Sequence, residues 1–387
     1  MENKLLQSFL IFSLSLMTLW SCNIINNTKF VQSNQPKDIV KKEQLEIIKK
    51  IILPSTKQVI PIEESFQKIF KLSDRNLWLV SDYSVFQSID SGESWYRCNL
   101  NLPKSSEITD IFFLNDRQGW ITACDQADNS YILSSNDSGR NWETSHKFKS
   151  TQLLGLRFFS GMNGVAFGRK YSKKEGKIQI TIDKPFLIRS KDYGKSWDDL
   201  SMQVNELINK SEPDTYDFFE KITDDSNCIR LISSLGKEIT IENTVPIRIA
   251  QLPFQNPHKL GCHEGKLWAV GGQDSIEGYH GYIAFEKNDQ YDIGYKVGAS
   301  FNDAVLLSDN RMLLCGSVVN GNDLSQFNEN RSGAVFIFNQ ASHELSLIYT
   351  DSEAPSFNAI KVIDDTRILL AGNTSNLVWL PLPAHDK

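Results

Sequence analysis

Ser88-Ile89-Asp90-Ser91-Gly92-Glu93-Ser94-Trp95 returns twice further along the chain, as Ser135-Asn136-Asp137-Ser138-Gly139-Arg140-Asn141-Trp142 and Ser190-Lys191-Asp192-Tyr193-Gly194-Lys195-Ser196-Trp197. The aspartates lie 47 and 55 residues apart. One short motif recurring at that period means a repeat architecture. Each copy follows an apolar run, Val85-Phe86, Tyr131-Ile132-Leu133 or Phe186-Leu187-Ile188, and so reads as a tight turn between two β-strands. Ser and Asp can bond the turn's own N–H groups. Gly92, Gly139 and Gly194 supply a positive φ, and Trp95, Trp142 and Trp197 offer large rings to anchor each hairpin. A repeated Asp could be an acid or a metal ligand. Three copies on three equivalent turns, each with its own Gly and Trp, point to a structural role instead.

A weaker repeat extends the pattern. Leu72-Ser73-Asp74-Arg75-Asn76-Leu77-Trp78 and Leu114-Asn115-Asp116-Arg117-Gln118-Gly119-Trp120 nearly copy each other, and Leu307–Leu313 and Ile363–Leu369 repeat the idea. Each is a polar turn between apolar runs, the inner hairpin of a four-stranded unit whose outer hairpin carries the Ser/Asp/Gly turn. Seven such units fit, at about 66–100, 108–148, 153–200, 215–252, 257–298, 301–350 and 357–387. The expected fold is all-β, a β-propeller of about seven four-stranded blades, with six or eight also compatible with the period. The last unit lacks a fourth strand, which Ile51-Ile52-Leu53 or Val59-Ile60-Pro61-Ile62 could supply, closing the ring without open edges. Asp199–Lys210 is the one helical pattern. An apolar content of 40% and 11% aromatics suit a packed body, and a net charge of −6 gives no basic stripe for nucleic acid.

The N-terminus reads as an address. Lys4 precedes an apolar stretch, and Leu19-Trp20-Ser21-Cys22 fits a bacterial lipoprotein signal. Residues 1–21 are then a signal peptide, with Cys22 the attachment point for lipid. Residues 22–46 form a flexible tether and 47–387 the propeller. Asn23, by similarity to enterobacterial lipoproteins, implies the outer membrane, facing the periplasm or the cell surface. Of the other cysteines, Cys124 and Cys315 fall at equivalent second-strand positions and are expected buried, while Cys228 and Cys262 could pair.

No metal spacing, phosphate loop or nucleophile motif occurs, and no cofactor is expected. The long second-to-third-strand loops, on the face away from the Ser/Asp/Gly turns, carry the only distinctive surface. Arg169, Lys170, Tyr171, Lys173 and Lys174 are locally basic, Gln273–His280 includes Tyr279 and His280, and Val319–Arg331 is polar. Loops on a rigid scaffold are where partners are recognised.

On these motifs the chain resembles the Asp-box (BNR-repeat) β-propellers, which include sialidases, sortilin-type receptors and the photosystem II stability/assembly factors. It is most similar to the last, through its D-x-G-x-x-W boxes, Gly119-Trp120 and the lipoprotein form. The boxes here read Asp-Ser-Gly or Asp-Tyr-Gly, where that family usually shows Asp-Gly-Gly. The sialidase resemblance implies an Arg-Ile-Pro motif and an arginine triad. No Arg-Ile-Pro occurs, and Arg75, Arg117, Arg311 and Arg367 lie in inner turns on the box side. The expectation is a non-catalytic, lipid-anchored platform for a protein partner, with a sialidase-like hydrolase or a toxin-immunity protein as alternatives.

Overall fold

A polar turn flanked by apolar runs forces the chain back on itself, and the computed structural model repeats that hairpin around a ring. It describes residues 39–60, 64–159, 163–174, 180–209, 219–223, 230–233, 236–242, 245–275, 278–288, 290–319 and 331–384. Blade 1 comprises Phe66–Lys71, Leu77–Ser81, Val85–Ser88 and Tyr96–Arg97. Blade 2 comprises Glu107–Phe113, Gly119–Cys124, Asn129–Ser135 and Glu143–Lys149. Blade 3 is Thr151–Phe159, Asn163–Lys174, Ile180–Ser190 and Asp198–Asp199. Blade 4 is Phe219–Ile222, Arg230–Ser233, Lys237–Glu242 and Val245–Gln251.

Pro257–His263, Lys266–Ser275, Gly278–Lys287 and Gln290–Val297 form blade 5. Ala299–Leu306, Arg311–Val319, Arg331–Asn339 and Glu344–Asp351 form blade 6. Blade 7 has Phe357–Val362, Arg367–Gly372 and Asn376–Pro381, completed by Thr56–Val59 running antiparallel to Asn376–Pro381. The fold is a seven-bladed β-propeller of four-stranded blades. A helix, Ser201–Asn209, follows the third Ser/Asp/Gly turn and buries Val204.

First strands of successive blades pack on one another around the axis. All seven carry a register irregularity at the same place, for example between Phe66 and Lys68, Ile108 and Asp110, or Phe301 and Asp303. A bulge re-aims one side chain, and here it reaches the neighbouring blade. His258 bonds the Phe301 carbonyl at 3.0 Å, Asn302 donates to the Phe357 carbonyl at 2.9 Å, and Asn358 donates to the Phe66 carbonyl at 3.0 Å. Burial, then the charge of Lys221, pulls the His258 imidazole down to about 4, so it acts as a neutral N–H donor. In blades 1–3 the link is ionic, since Asp110 accepts from both Lys68 and Arg157. Burial opposes ionisation of Asp110, but the two cations outweigh it and hold the carboxyl below its ordinary range. Blade 4, the most degenerate in sequence, is tied to blade 5 by Arg230, which reaches Glu286 at 2.7 Å and the Gly265 carbonyl at 2.8 Å.

Two expectations change. The tether does not extend to residue 46, because Ile39–Gln44 lies parallel to Gln290–Val297 as a fifth strand on blade 5. Ile47–Lys50 does the same on blade 6, against Glu344–Asp351. The compact unit is thus Asp38–Lys387. Of the two candidates for ring closure, Ile51-Ile52-Leu53 continues along blade 6, where Ile51 and Leu53 donate to the Leu347 and Ile348 carbonyls. Val59 ends the closing strand, and Pro61-Ile62 lies outside the described residues, as do Cys22 and the signal segment. The physical reason for both changes is edge satisfaction. Full-length outer strands on blades 5 and 6 leave unpaired N–H and C=O groups that the N-terminal segment covers.

Candidate functional site

The Ser/Asp/Gly turns are closed hydrogen-bond cages. Ser88 Oγ donates to Asp90 at 2.8 Å and accepts from Gly92 N at 2.8 Å, while Asp90 accepts from Ser94 N at 3.0 Å. The second turn repeats this with Ser135, Asp137, Gly139 and Asn141, and the third with Ser190, Asp192, Gly194 and Ser196. Hydrogen bonds from Ser196 hold Asp192 at about 2, and equivalent bonds hold Asp137 below its usual range. In Asp90 they overcome a partial desolvation. Consecutive positive φ angles, 64° and 87° at Ser91-Gly92, fit a hairpin turn that needs glycine second. Each carboxylate is committed to the turn it closes, so none is placed to move a proton onto a substrate. Ser91 and Ser138 also donate to the Arg75 and Arg117 carbonyls, which puts the inner arginine turns on the same face.

These turns also join blades. A Cβ on Gly139 would come within 3.2 Å of Trp78 of blade 1, and one on Gly194 within 3.0 Å of Trp120 of blade 2. Trp78 stacks on Phe113 at 4.1 Å and Phe113 meets Trp142 edge-on at 5.7 Å. Trp120, Phe158 and Trp197 repeat the triplet at 4.0 and 5.9 Å. The first turn closes the circle on blade 7, with Gly92 against Trp379 and Trp95 packed in the same cluster.

The opposite face is built differently. Arg169–Lys174 is not a loop but the end of a twelve-residue strand paired through Lys174 with Ile180. Arg169 donates to Gln152 at 2.5 Å and lies over Tyr171, whose hydroxyl reaches the same Gln152. Lys170 lies 3.8 Å from Asp199 and covers Phe186. Tyr279 and His280 likewise belong to a strand, paired with Asp274 and Gln273. His280 is buried against Tyr295 and is withdrawn from the surface. Backbone pairing carries both hairpins past the buried part of the blade, from Arg169 opposite Pro185 to Lys174 opposite Ile180 and from Gln273 opposite His280 to Ser275 opposite Gly278. Residues 175–179 and 320–330 and Cys228 fall outside the described residues. Cys262 is disulfide-bonded, Cys124 and Cys315 are buried free thiols and Cys98 is a partly buried one.

Sequence reasoning missed an acidic group on this face. Ser81 and Ser84 hydroxyls and Tyr83 N all donate to Glu64. Burial and then Glu64 push Asp82 up, with a Gln67 bond opposing. Glu107 is raised by burial and then Asp82, with Arg169 opposing. Tyr83 stands beside them, 41% exposed. These carboxylates come from three segments with no shared motif, so no spacing signalled them.

Near the axis on the turn face, a groove of about 410 Å³ is lined by Lys259, Cys262, His263, Trp268, Leu306 and Lys361. It exists because Gly261 pairs with Trp268 where blades 1 and 2 pair Phe70 with Trp78 and Phe112 with Trp120. Trp268 tips over the glycine, which a Cβ would forbid. With Cys262 in a disulfide and Lys259 3.7 Å from Asp303, the groove offers apolar contact and cations, not an activated nucleophile. Among the described residues no cluster of three or more metal-ligating side chains occurs.

Solved structures with the same fold include YCF48 bound to a D1 peptide, at 16% identity over 87% of this chain and 100% of that one, with a TM-score of 0.58. YCF48 from Cyanidioschyzon merolae is 14% identical over 84% and 98%, with a TM-score of 0.59. Virginiamycin B lyase from Staphylococcus aureus is 11% identical over 86% and 100%, at 0.54. At these identities the likeness is one of fold. No protein-family model and no curated protein matches the chain.

Proposed function

We propose that this propeller is a non-catalytic platform, anchored by lipid on Cys22 at the periplasmic or outer face of a bacterial outer membrane. It would bind a protein partner on the face away from the Ser/Asp/Gly turns. The observation that carries the reading is the asymmetry of the two faces. On one, the outer hairpins of blades 1–3 end in short cages whose polar groups bond each other. On the other, hairpins such as Asn163–Lys174 with Ile180–Ser190 run on beyond the blades, beside Tyr83, Asp82 and Glu107. Such a face gives a peptide aromatic surface, charges of both signs and strand edges. YCF48, a propeller of the same architecture, is known bound to a peptide, which supports the reading.

Peptide-display selection on purified protein tests it. Enriched peptides should lose binding to Tyr83→Ala and Arg169→Glu variants while still binding Ile89→Ser on the turn face. Equal binding to all three would remove the hairpin face from the account. Radiolabelled palmitate should enter the wild-type chain and not Cys22→Ser. Because a lyase shares the fold, turnover of virginiamycin B by the same preparation would overturn the non-catalytic assignment.

A further inference from the structure

The N-terminal segment that crosses blades 5 to 7 is a strap. It is anchored at Leu45, 2% exposed, which fills the space above Gly294 and joins the cluster between blades 5 and 6. Past that anchor, four consecutive residues along the outer edge of blade 6 are exposed: Lys49, Lys50, Ile51 and Ile52. Ile51 is 37% and Ile52 56% exposed, and neither can turn inward because backbone bonds to Leu347 and Ile348 fix the segment on the rim. Two nearby acids are engaged by other lysines, Glu353 by Lys57 at 2.7 Å and Glu46 by Lys296 at 3.9 Å, while Glu344 on the same blade edge accepts from Ser342 and Glu43 lies 3.9 Å from His343. Among the described residues Lys49 and Lys50 enter no ion pair. Adjacent exposed isoleucines cost hydration free energy unless something apolar covers them, and adjacent lysines favour an anionic cover.

We propose that Lys49, Lys50, Ile51 and Ile52 rest on an anionic lipid surface, so that the propeller stands on its rim with both faces open. The occupant follows from charge and from chain length. Cys22 precedes the strap's first residue, Ile39, by 17 positions, a span of at most about 60 Å when fully extended. A lipid there would keep this rim within reach of the bilayer. The proposal rests on the lipid-anchor reading for its biology, but the chemistry of the patch stands apart from it.

Unlipidated protein carrying Cys22→Ser is therefore the material to test, by co-flotation with vesicles of phosphatidylglycerol and phosphatidylethanolamine against vesicles of phosphatidylcholine alone. Binding to the anionic vesicles is expected, weakening with added salt. Lys49→Glu with Lys50→Glu should lower the partition coefficient by about thirtyfold or more. Ile51→Ser with Ile52→Ser should lower it about tenfold, and unchanged circular dichroism would show that both pairs fold. Absence of flotation with anionic vesicles overturns the proposal, as does flotation that neither pair alters. So does self-association in sedimentation that the isoleucine pair abolishes, which would make the patch a contact between copies. A failure of palmitate labelling would leave these results intact, and a failure of flotation would leave the lipid on Cys22 intact.

Discussion

Blades 1–3 and blades 5–7 solve one problem in two ways. A blade's outer hairpin must be held to its neighbour, and its outermost edge must be blunted. In blades 1–3 the Ser/Asp/Gly turn does the holding, and in blades 1 and 3 it also leaves little edge to blunt, whereas blade 2 keeps an outer strand of seven residues. The turn's glycine lets it sit on a tryptophan or its neighbours, and in blades 1 and 3 the fourth strand is only two residues long. Blades 5 and 6 have no such turn and keep outer strands of eight residues. There the holding group is imported from the N-terminus, with Leu45 between the blades and Ile39–Gln44 and Ile47–Lys50 along the edges. The two devices meet where the ring closes. Trp379 of blade 7 lies against Gly92 and donates to Gln58 of the strap, and Gln58 donates to the Glu93 carbonyl. Local sequence can staple a blade, or a distant segment can; the packing requirement is the same.

Trp120→Ala should have the largest effect, about 3–5 kcal/mol of stability lost, because the ring is shared by two blades. A urea midpoint unchanged from wild type would deny the staple. Leu45→Ala should cost about 2–4 kcal/mol and differ in kind. Hydrogen exchange should accelerate in residues 39–50 and in the outer strands of blades 5 and 6, while blades 1–3 keep their protection; uniform acceleration would erase the distinction between the arcs. Asp137→Ala, which strips the second cage of its acceptor, should cost about 1–2 kcal/mol and shift the emission of the nearby tryptophans.

The smallest effect expected is a difference in pH response. The turn aspartates have depressed values, Asp192 about 2, so their contribution is present in full above the ordinary carboxylate range. It is lost as pH falls toward 2. Lys57 is raised by its bonds to Asp351 and then Glu353. Its contribution is present below the ordinary lysine range and is lost only as pH climbs above it. Acid titration followed by tryptophan emission should therefore leave the turns of blades 1–3 unchanged until pH falls below the ordinary carboxylate range. An emission change already complete above that range would reverse the assignment.

Much of the architecture was readable from local chemistry. Asp-Arg-Gln-Gly-Trp between apolar runs defines a hairpin because only neighbours in sequence are involved, and the seven unit boundaries follow from repeating it. Burial of Cys124 and Cys315 follows from their equivalent positions on second strands, which are buried almost throughout. What could not be read depends on residues that meet only after the ring closes. Glu64, Asp82 and Glu107 become an acidic group because three separate segments converge. Gly261 opens a groove because of what stands across from it. Arg169–Lys174 reads as a lysine-rich loop until Ile180–Ser190 is placed beside it. The strap's outer rows are invisible in Lys-Lys-Glu-Gln-Leu-Glu, whose polar character suits a tether equally well.

By itself, then, the sequence determined the repeat, the turn chemistry and the identity of the blades, since hydrogen bonds within a turn and alternation along a strand are decided within a few residues. Tertiary structure alone decided which edges needed covering, that the N-terminal segment would cover them, and which face would be left with extended hairpins. Those outcomes depend on unsatisfied backbone groups and packing gaps that exist only once all seven blades stand together.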